Sequence, residues 1–378
     1  MRCDNKFDFP NFDNSTAQFL CDFNYALQTV ALGVYNVEGY FSIVLLLINV
    51  FHFTVLTRKP MRTSSVNWIL AAIALFDAAS FLYQFELKLT TIINSVVPCT
   101  ISFSFLHAQL KILLLSLRLF ARRCATWLSL SLALIRTLVI RYLFNTRIQN
   151  ISKPKAAAHC ILLTVSLSSL ISAFGFFQYE IFSFDPIDKC ALNGANKQYS
   201  SRVSKFFFQN GSVVLKAYTS FDAIVSEVIP CILFPIATYF LIKEFRKAEE
   251  NRRKLKSGDL EKMSSRRTKL VIVLTVTFFI AEFPIGVVGT FSRFLPRSQF
   301  GFNEMVIQFK ALLWFLISIN TSTHMFICLL MSSEYRTTAE SILRRNKPPS
   351  QLKTFEPSES ETKEAGKIGK RTTWKHRP

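Results

Sequence analysis

Seven ionisable residues stand where an ionisable residue is costly. Arg118, Arg122, Arg123 and Arg136 interrupt one long apolar block, and Asp77, Glu227 and Glu282 lie in three others. In a membrane such a side chain costs at least about 2.5 kcal/mol, which makes each one a candidate for function. Arg118 and Arg122 are spaced i, i+4 and share one helix face. Counting back from Arg136 at the rise of an α-helix puts Arg122 about 21 Å and Arg118 about 27 Å away, and the Arg122–Arg136 separation is close to four whole turns. A guanidinium donates in a planar fork, so two on one face suit a carboxylate, phosphate or carbonyl group of a ligand. Glu227 and Glu282, at comparable depth, offer the other outcome: a buried ion-pair network that only fixes helix packing. Both readings stay open. Arg123 points sideways, to snorkel or to pair with the next block.

The blocks that hold these residues define the fold. Half of the 378 residues are apolar and 19% are charged, against about a quarter charged in soluble domains. Seven blocks are long enough to cross a bilayer, at roughly 37–57, 66–87, 113–140, 157–178, 222–242, 270–291 and 308–331. They lack a period-2 pattern and must satisfy their backbones internally, so they are helices. The fold class is an all-α membrane protein, a seven-transmembrane helix bundle. The net charge is +20. With the N-terminus outside, the inner segments hold 29 Lys and Arg and the outer ones 11, so the N-terminus is expected outside and the C-terminus inside. That distribution assigns the basic charge to the inner face of a plasma membrane rather than to nucleic acid. The expected parts are an outer segment 1–36, the bundle 37–331, a short amphipathic membrane-surface helix 332–343 and a disordered tail 344–378.

Four of the eight cysteines, Cys3, Cys21, Cys99 and Cys190, fall outside, in an oxidising compartment. Cys99–Cys190 is the favoured bridge, with Cys3–Cys21 a second pair. Asn14 and Asn210 begin outer glycosylation sequons. No enzyme constellation appears: the five His residues lack metal-ligand spacing, and no Gly-rich phosphate loop or Gly-flanked nucleophile occurs. No cofactor or metal is expected. A transporter would show internal repeats with matching broken helices, and the two proline-bearing spans are adjacent instead.

Motifs on successive spans carry a family resemblance. Asn49 lies in span 1, Asp77 in Ile73-Ala74-Leu75-Phe76-Asp77 of span 2, and Trp127 and Ile135-Arg136 in span 3. Pro230 lies in span 5, Glu282-Phe283-Pro284 in span 6, and Cys328-Leu329-Leu330-Met331-Ser332-Ser333-Glu334-Tyr335-Arg336 leads out of span 7. In this order they resemble the nematode serpentine chemoreceptors of class W, which are similar to FMRFamide-type peptide receptors among the rhodopsin-like G protein-coupled receptors. The resemblance runs from about residue 37 to 345. It implies an extracellular ligand, most simply a neuropeptide, with an environmental small molecule as the alternative. It also implies a heterotrimeric G protein partner, met at Arg136, and arrestin as a partner of a phosphorylated tail.

By the same resemblance Asp77, Asn49 and Asn320 form a polar cluster between spans 1, 2 and 7 that holds water or sodium, and Pro230 and Pro284 kink spans 5 and 6 for activation. Three departures stand out. Ile135 replaces the acid that usually restrains the span-3 arginine. His324-Met325-Phe326-Ile327-Cys328 replaces the Asn-Pro-x-x-Tyr pattern of span 7, so His324 stands at a switch position without its proline and tyrosine. Cys99 lies well before the usual place at the top of span 3.

Overall fold

The structure, a computed structural model, describes residues 5–96, 104–142, 145–185, 198–254, 259–294 and 300–344. Seven of its helices are long and apolar enough to cross a membrane. Spans 1, 2, 3 and 4 are the helices Asn14–Leu56, Ser65–Val96, Phe105–Arg141 and Pro154–Phe176. Span 5 is a helix Lys205–Ala223 running through a π turn, Ile224–Val228, into a helix Ile229–Lys254. Spans 6 and 7 are Asp259–Phe294 and Phe300–Met331. A short helix Ser333–Leu343 follows, capped at its start by the Ser332 hydroxyl, which accepts from Tyr335 N–H.

Most of these helices outrun the apolar blocks. Span 1 begins 23 residues before the block at 37, so most of the outer segment 1–36 is helix rather than a separate piece. Hydropathy marks only the lipid-buried length. The polar flanks continue the helix because Asp13 caps its first turn, its carboxylate accepting from Thr16 N–H at 3.1 Å. The same holds at the other end of spans 5 and 6, which run on to Lys254 and start at Asp259.

At the N-terminal end, a helix Asn5–Asp8 packs on the start of span 7. Phe9 is buried there against Phe302, ring edge to face at 5.3 Å. Gly301 makes this approach possible: a Cβ at that position would meet the Phe9 ring at 2.5 Å and the Asp8 carbonyl oxygen at 2.8 Å. A two-stranded antiparallel hairpin, β1 (Tyr179–Phe184) and β2 (Gln198–Val203), joins spans 4 and 5 in the register Tyr179 to Val203.

The dry core lies toward the opposite end. There Leu56, Ile69, Leu128, Leu241, Val271, Leu274 and Cys328 from six spans pack with Tyr335 of the short helix. Small residues let the central helices approach closely, among them Ala71, Ala74 and Ala78 in span 2 and Ala121, Ala125 and Ala133 in span 3. Beyond this core, buried charged side chains join the bundle between smaller apolar clusters.

Candidate functional site

Span 3 carries the arginines into the bundle. Arg122 is buried, and its fork reaches two carboxylates on two other helices. Nη1 donates to Asp77 Oδ1 on span 2 at 3.4 Å, and Nη2 pairs with Glu282 Oε1 on span 6. Its third neighbour is Trp314 of span 7, whose ring lies 5.7 Å from Cζ. Spans 2, 3, 6 and 7 therefore meet at one guanidinium. A buried pair of this kind offsets a large desolvation cost only when the remaining donors are matched, and removing one partner costs about 3–5 kcal/mol.

Arg118, one turn above, has different surroundings. Its Cζ lies 5.7 Å from the Tyr83 ring and 5.4 Å from the Trp314 ring, so it is held between two aromatic faces. It faces a cleft of about 260 Å³ that Glu38, Gln84 and Ser318 also line. Glu38 is buried on span 1 and accepts from Ser318 Oγ at 3.3 Å. Arg118 makes no hydrogen bond or ion pair with the other described residues. The i, i+4 spacing thus places both arginines on one face, but the structure separates their roles.

Glu227 lies within the π turn of span 5 and lines a second cavity of about 480 Å³, shared with Arg122, Asp222, Glu282 and Trp314. Gly289 of span 6 gives it room, since a Cβ there would sit 2.0 Å from Glu227 Oε2. The π turn also answers the proline that follows. Pro230 has no N–H and would crowd the carbonyl four residues back. Widening the preceding turn, with Ile229 N–H donating to Ile224 O, relieves both problems. The proline inside the regular part of span 5 is Pro235, which the sequence reading passed over; in span 6 it is Pro284, as expected.

Arg123 does not snorkel. Nε donates to Ser226 Oγ at 2.9 Å, Nη1 to the Ser168 carbonyl at 3.1 Å and to Ser172 Oγ at 2.9 Å, and Nη2 pairs with Asp222. It pins span 3 to spans 4 and 5.

No direct hydrogen bond among the described residues joins Asp77, Asn49 and Asn320. Asp77 has no exposed surface, and its carboxylate faces Arg122 and His324, whose Nδ1 is 3.9 Å from Oδ2. Asn49 Nδ2 donates instead to the Leu45 carbonyl at 2.9 Å and to Thr321 Oγ1 at 3.4 Å. Asn320 Oδ1 accepts from Thr323 within its own helix at 3.2 Å. A guanidinium beside Asp77 supplies the positive charge that a sodium ion was expected to bring. Among the described residues no group of three or more His, Cys, Asp or Glu could hold a metal ion. His324 also stacks on Phe278 of span 6, ring centroids 6.0 Å apart.

At the far end Arg136 is buried and lines a cavity of about 680 Å³ with Asn67, Met331, Glu334 and Tyr335. Of the cysteines, Cys21 is in a disulfide, while Cys3, Cys99 and Cys190 lie outside the described residues, so the Cys99–Cys190 expectation falls outside them too. Among the described residues the free cysteines are Cys124, Cys160, Cys231 and Cys328, all in spans. Asn14 is exposed in the first turn of span 1, and Asn210 falls within the helix Lys205–Ala223. The tail from 345 lies outside the described residues.

Sequence reasoning missed Glu38, Tyr83, Trp314 and Asp222. Glu38 and Asp222 had a signal, being acids at the first residues of their apolar blocks. Tyr83 and Trp314 had none, because an aromatic in an apolar block reads as packing.

Comparison with known proteins agrees with this architecture. Residues 36–346 match the family model described as serpentine type 7TM GPCR chemoreceptor Srw. The G-protein coupled receptor dmsr-1 of Caenorhabditis elegans is 26% identical over 250 residues, which cover 61% of this chain and 47% of that protein. The chain thus spans about half the length of the curated relative it matches. It is a multi-pass plasma-membrane protein and not an enzyme. Seven spans in this order, a buried arginine near the C-terminal end of span 3 and a family match over most of the length lead to one assignment: the chain belongs to the Srw family of serpentine G protein-coupled chemoreceptors.

Proposed function

We propose that the chain is a receptor, N-terminus outside, that binds a neuropeptide of the FMRFamide-like class in the two clefts beside Trp314 and activates a heterotrimeric G protein at the Arg136 cavity. One observation carries the ligand assignment. Arg118 presents its donors to a cleft between Tyr83 and Trp314 without a hydrogen-bonding partner among the described residues, whereas Arg122 is committed to Asp77 and Glu282. A backbone carbonyl or an acidic side chain of a peptide suits that fork. Glu227, lining the second cleft, suits a basic group of the same ligand.

An environmental small molecule is the second reading. It is favoured by the narrowness of the clefts, each lined by only ten residues. G protein activation in cells, scanned over amidated peptides and small acids with wild type beside Arg118→Gln and Arg136→Ala, separates the two. Evoked signal from peptides, lost in Arg136→Ala and weakened in Arg118→Gln, supports the first reading. Signal from small acids alone supports the second. No signal with any G protein, from protein present at the cell surface, overturns the coupling.

A further inference from the structure

His52 of span 1 is a buried imidazole that none of the roles above uses. It follows Asn49 by three residues and is 1% exposed. Its Nδ1 lies 2.7 Å from Tyr335 Oη, and the two rings are 5.4 Å apart. Tyr335 has no exposed surface, sits in the first turn of the helix Ser333–Leu343, and lines the same cavity as Arg136. The hydrogen bond therefore ties that helix to span 1. The other ring nitrogen, Nε2, is buried with no hydrogen-bond partner among the described protein groups. Asn49 Nδ2 donates to Thr321 Oγ1 at 3.4 Å between spans 1 and 7, His52 and His324 each follow that bond by three residues on their own span, and His324 Nδ1 lies 3.9 Å from Asp77. Asp77 in turn receives Arg122, which holds Glu282. Polar groups thus step from span 6 through spans 3, 2, 7 and 1 to the short helix.

We infer that His52 is the positioning residue through which the Glu282–Arg122–Asp77 cluster controls the helix Ser333–Leu343. A neutral imidazole has one donor and one acceptor on opposite sides of a rigid ring. The ring cannot turn to serve a new partner at Nε2 without lengthening or losing its bond to Tyr335. A rearrangement at Asp77 and His324 is thereby converted into a change at the wall of the Arg136 cavity. A chain of contacts alone does not establish coupling; a double-mutant cycle does. The inference rests on the receptor reading only for what a G protein makes of that change.

The test is amide hydrogen exchange of Ser333–Leu343 in the full-length protein in lipid nanodiscs, which needs neither ligand nor G protein. Tyr335→Phe removes one hydroxyl, and His52→Phe keeps an aromatic ring. Each is expected to speed exchange in this helix roughly tenfold, the loss of one buried hydrogen bond. Asp77→Asn, nearly isosteric, is expected to change exchange there in the wild-type background and not in the Tyr335→Phe background. Unchanged exchange in Tyr335→Phe overturns the inference. So does an Asp77→Asn effect that is absent in the wild type, or equal in the two backgrounds. A receptor that activates no G protein but passes this test leaves the coupling standing and sinks only the proposed function.

Discussion

Arg122 of span 3 and Glu282 of span 6 form a buried ion pair two residues before Pro284. The pair grips span 6 just where its backbone lacks a hydrogen bond, and Asp77 holds the other arm of the same guanidinium. Removing the guanidinium leaves two buried carboxylates uncompensated, whereas removing Glu282 leaves Arg122 paired with Asp77. Arg122→Gln should lower stability by about 3–5 kcal/mol, Glu282→Gln by less, and the triple variant Asp77→Leu, Arg122→Met, Glu282→Met by less than Arg122→Gln alone. Thermal unfolding of the purified protein in nanodiscs measures all three. Equal losses in Arg122→Gln and the triple variant would show that the three groups do not act as a unit.

Arg118 should behave in the opposite way. It is stacked but has no ion-pair partner among the described residues. Arg118→Gln is expected to lower the unfolding temperature less than Arg122→Gln does, because it gives up two ring contacts and the attraction of Glu38 but no direct ion pair. Its effect should appear in ligand potency, weakened roughly 10- to 100-fold by the loss of one charge-assisted hydrogen bond. Dose–response curves for the ligand found in the activation screen provide the check, with Arg118→Lys restoring part of the loss.

Two glycines give a matched pair. Gly301 would place a Cβ against the Asp8 backbone and the Phe9 ring, while Gly33 has nothing within 4 Å. Gly301→Ala should therefore cost about 1–3 kcal/mol by overpacking and raise protease sensitivity near residues 5–12. Gly33→Ala, in the open face of a helix, should be neutral or stabilise by up to about 1 kcal/mol. Similar results for both would remove the packing argument for the N-terminal clasp.

The hairpin between spans 4 and 5 carries a pH dependence. Arg202 Nε donates to Glu180 Oε1 at 2.7 Å across the paired strands, which holds the Glu180 carboxyl below the usual carboxylate range. A depressed folded value means the contribution is complete above the unfolded value near 4.3 and fades as pH falls through the folded one. Chemical shifts of the strand amides should therefore hold from neutral pH down to about that value and move below it. Arg202→Gln should shift the change upward, toward the ordinary carboxylate range.

The lipid-buried frame was legible because it is written in long apolar runs: each of the seven blocks falls on a helix of the structure, overrunning its end by one residue in span 1 and two in span 4. Arg136 and Pro284 lie in the helices that the apolar blocks assign them to. The partners were not legible. Nothing in the spacing of Asp77, Arg122 and Glu282 says that one guanidinium would take both acids, because that depends on the rotation of spans 2 and 6 about their own axes. The same limit hid Tyr335, which reads as an ordinary aromatic in a surface helix until His52 is placed opposite it. The π turn was invisible for another reason: Ile224–Val228 has the composition of any apolar helix, and only the neighbouring Pro230 hinted at it.

That π turn makes chain length in span 5 a variable in its own right. An α-helix advances about 100° per residue, and a π turn absorbs one residue of surplus. Deleting a single residue between Ile224 and Val228 would return the turn to α-helical winding and leave both halves facing as they do, Asp222 toward Arg123 and Phe234 and Leu241 in the core. The same deletion in the regular helix on either side would instead turn the half carrying Asp222 by about 100° relative to the other. The turn is thus the one stretch of span 5 where a codon can be lost and the clefts keep the same set of groups.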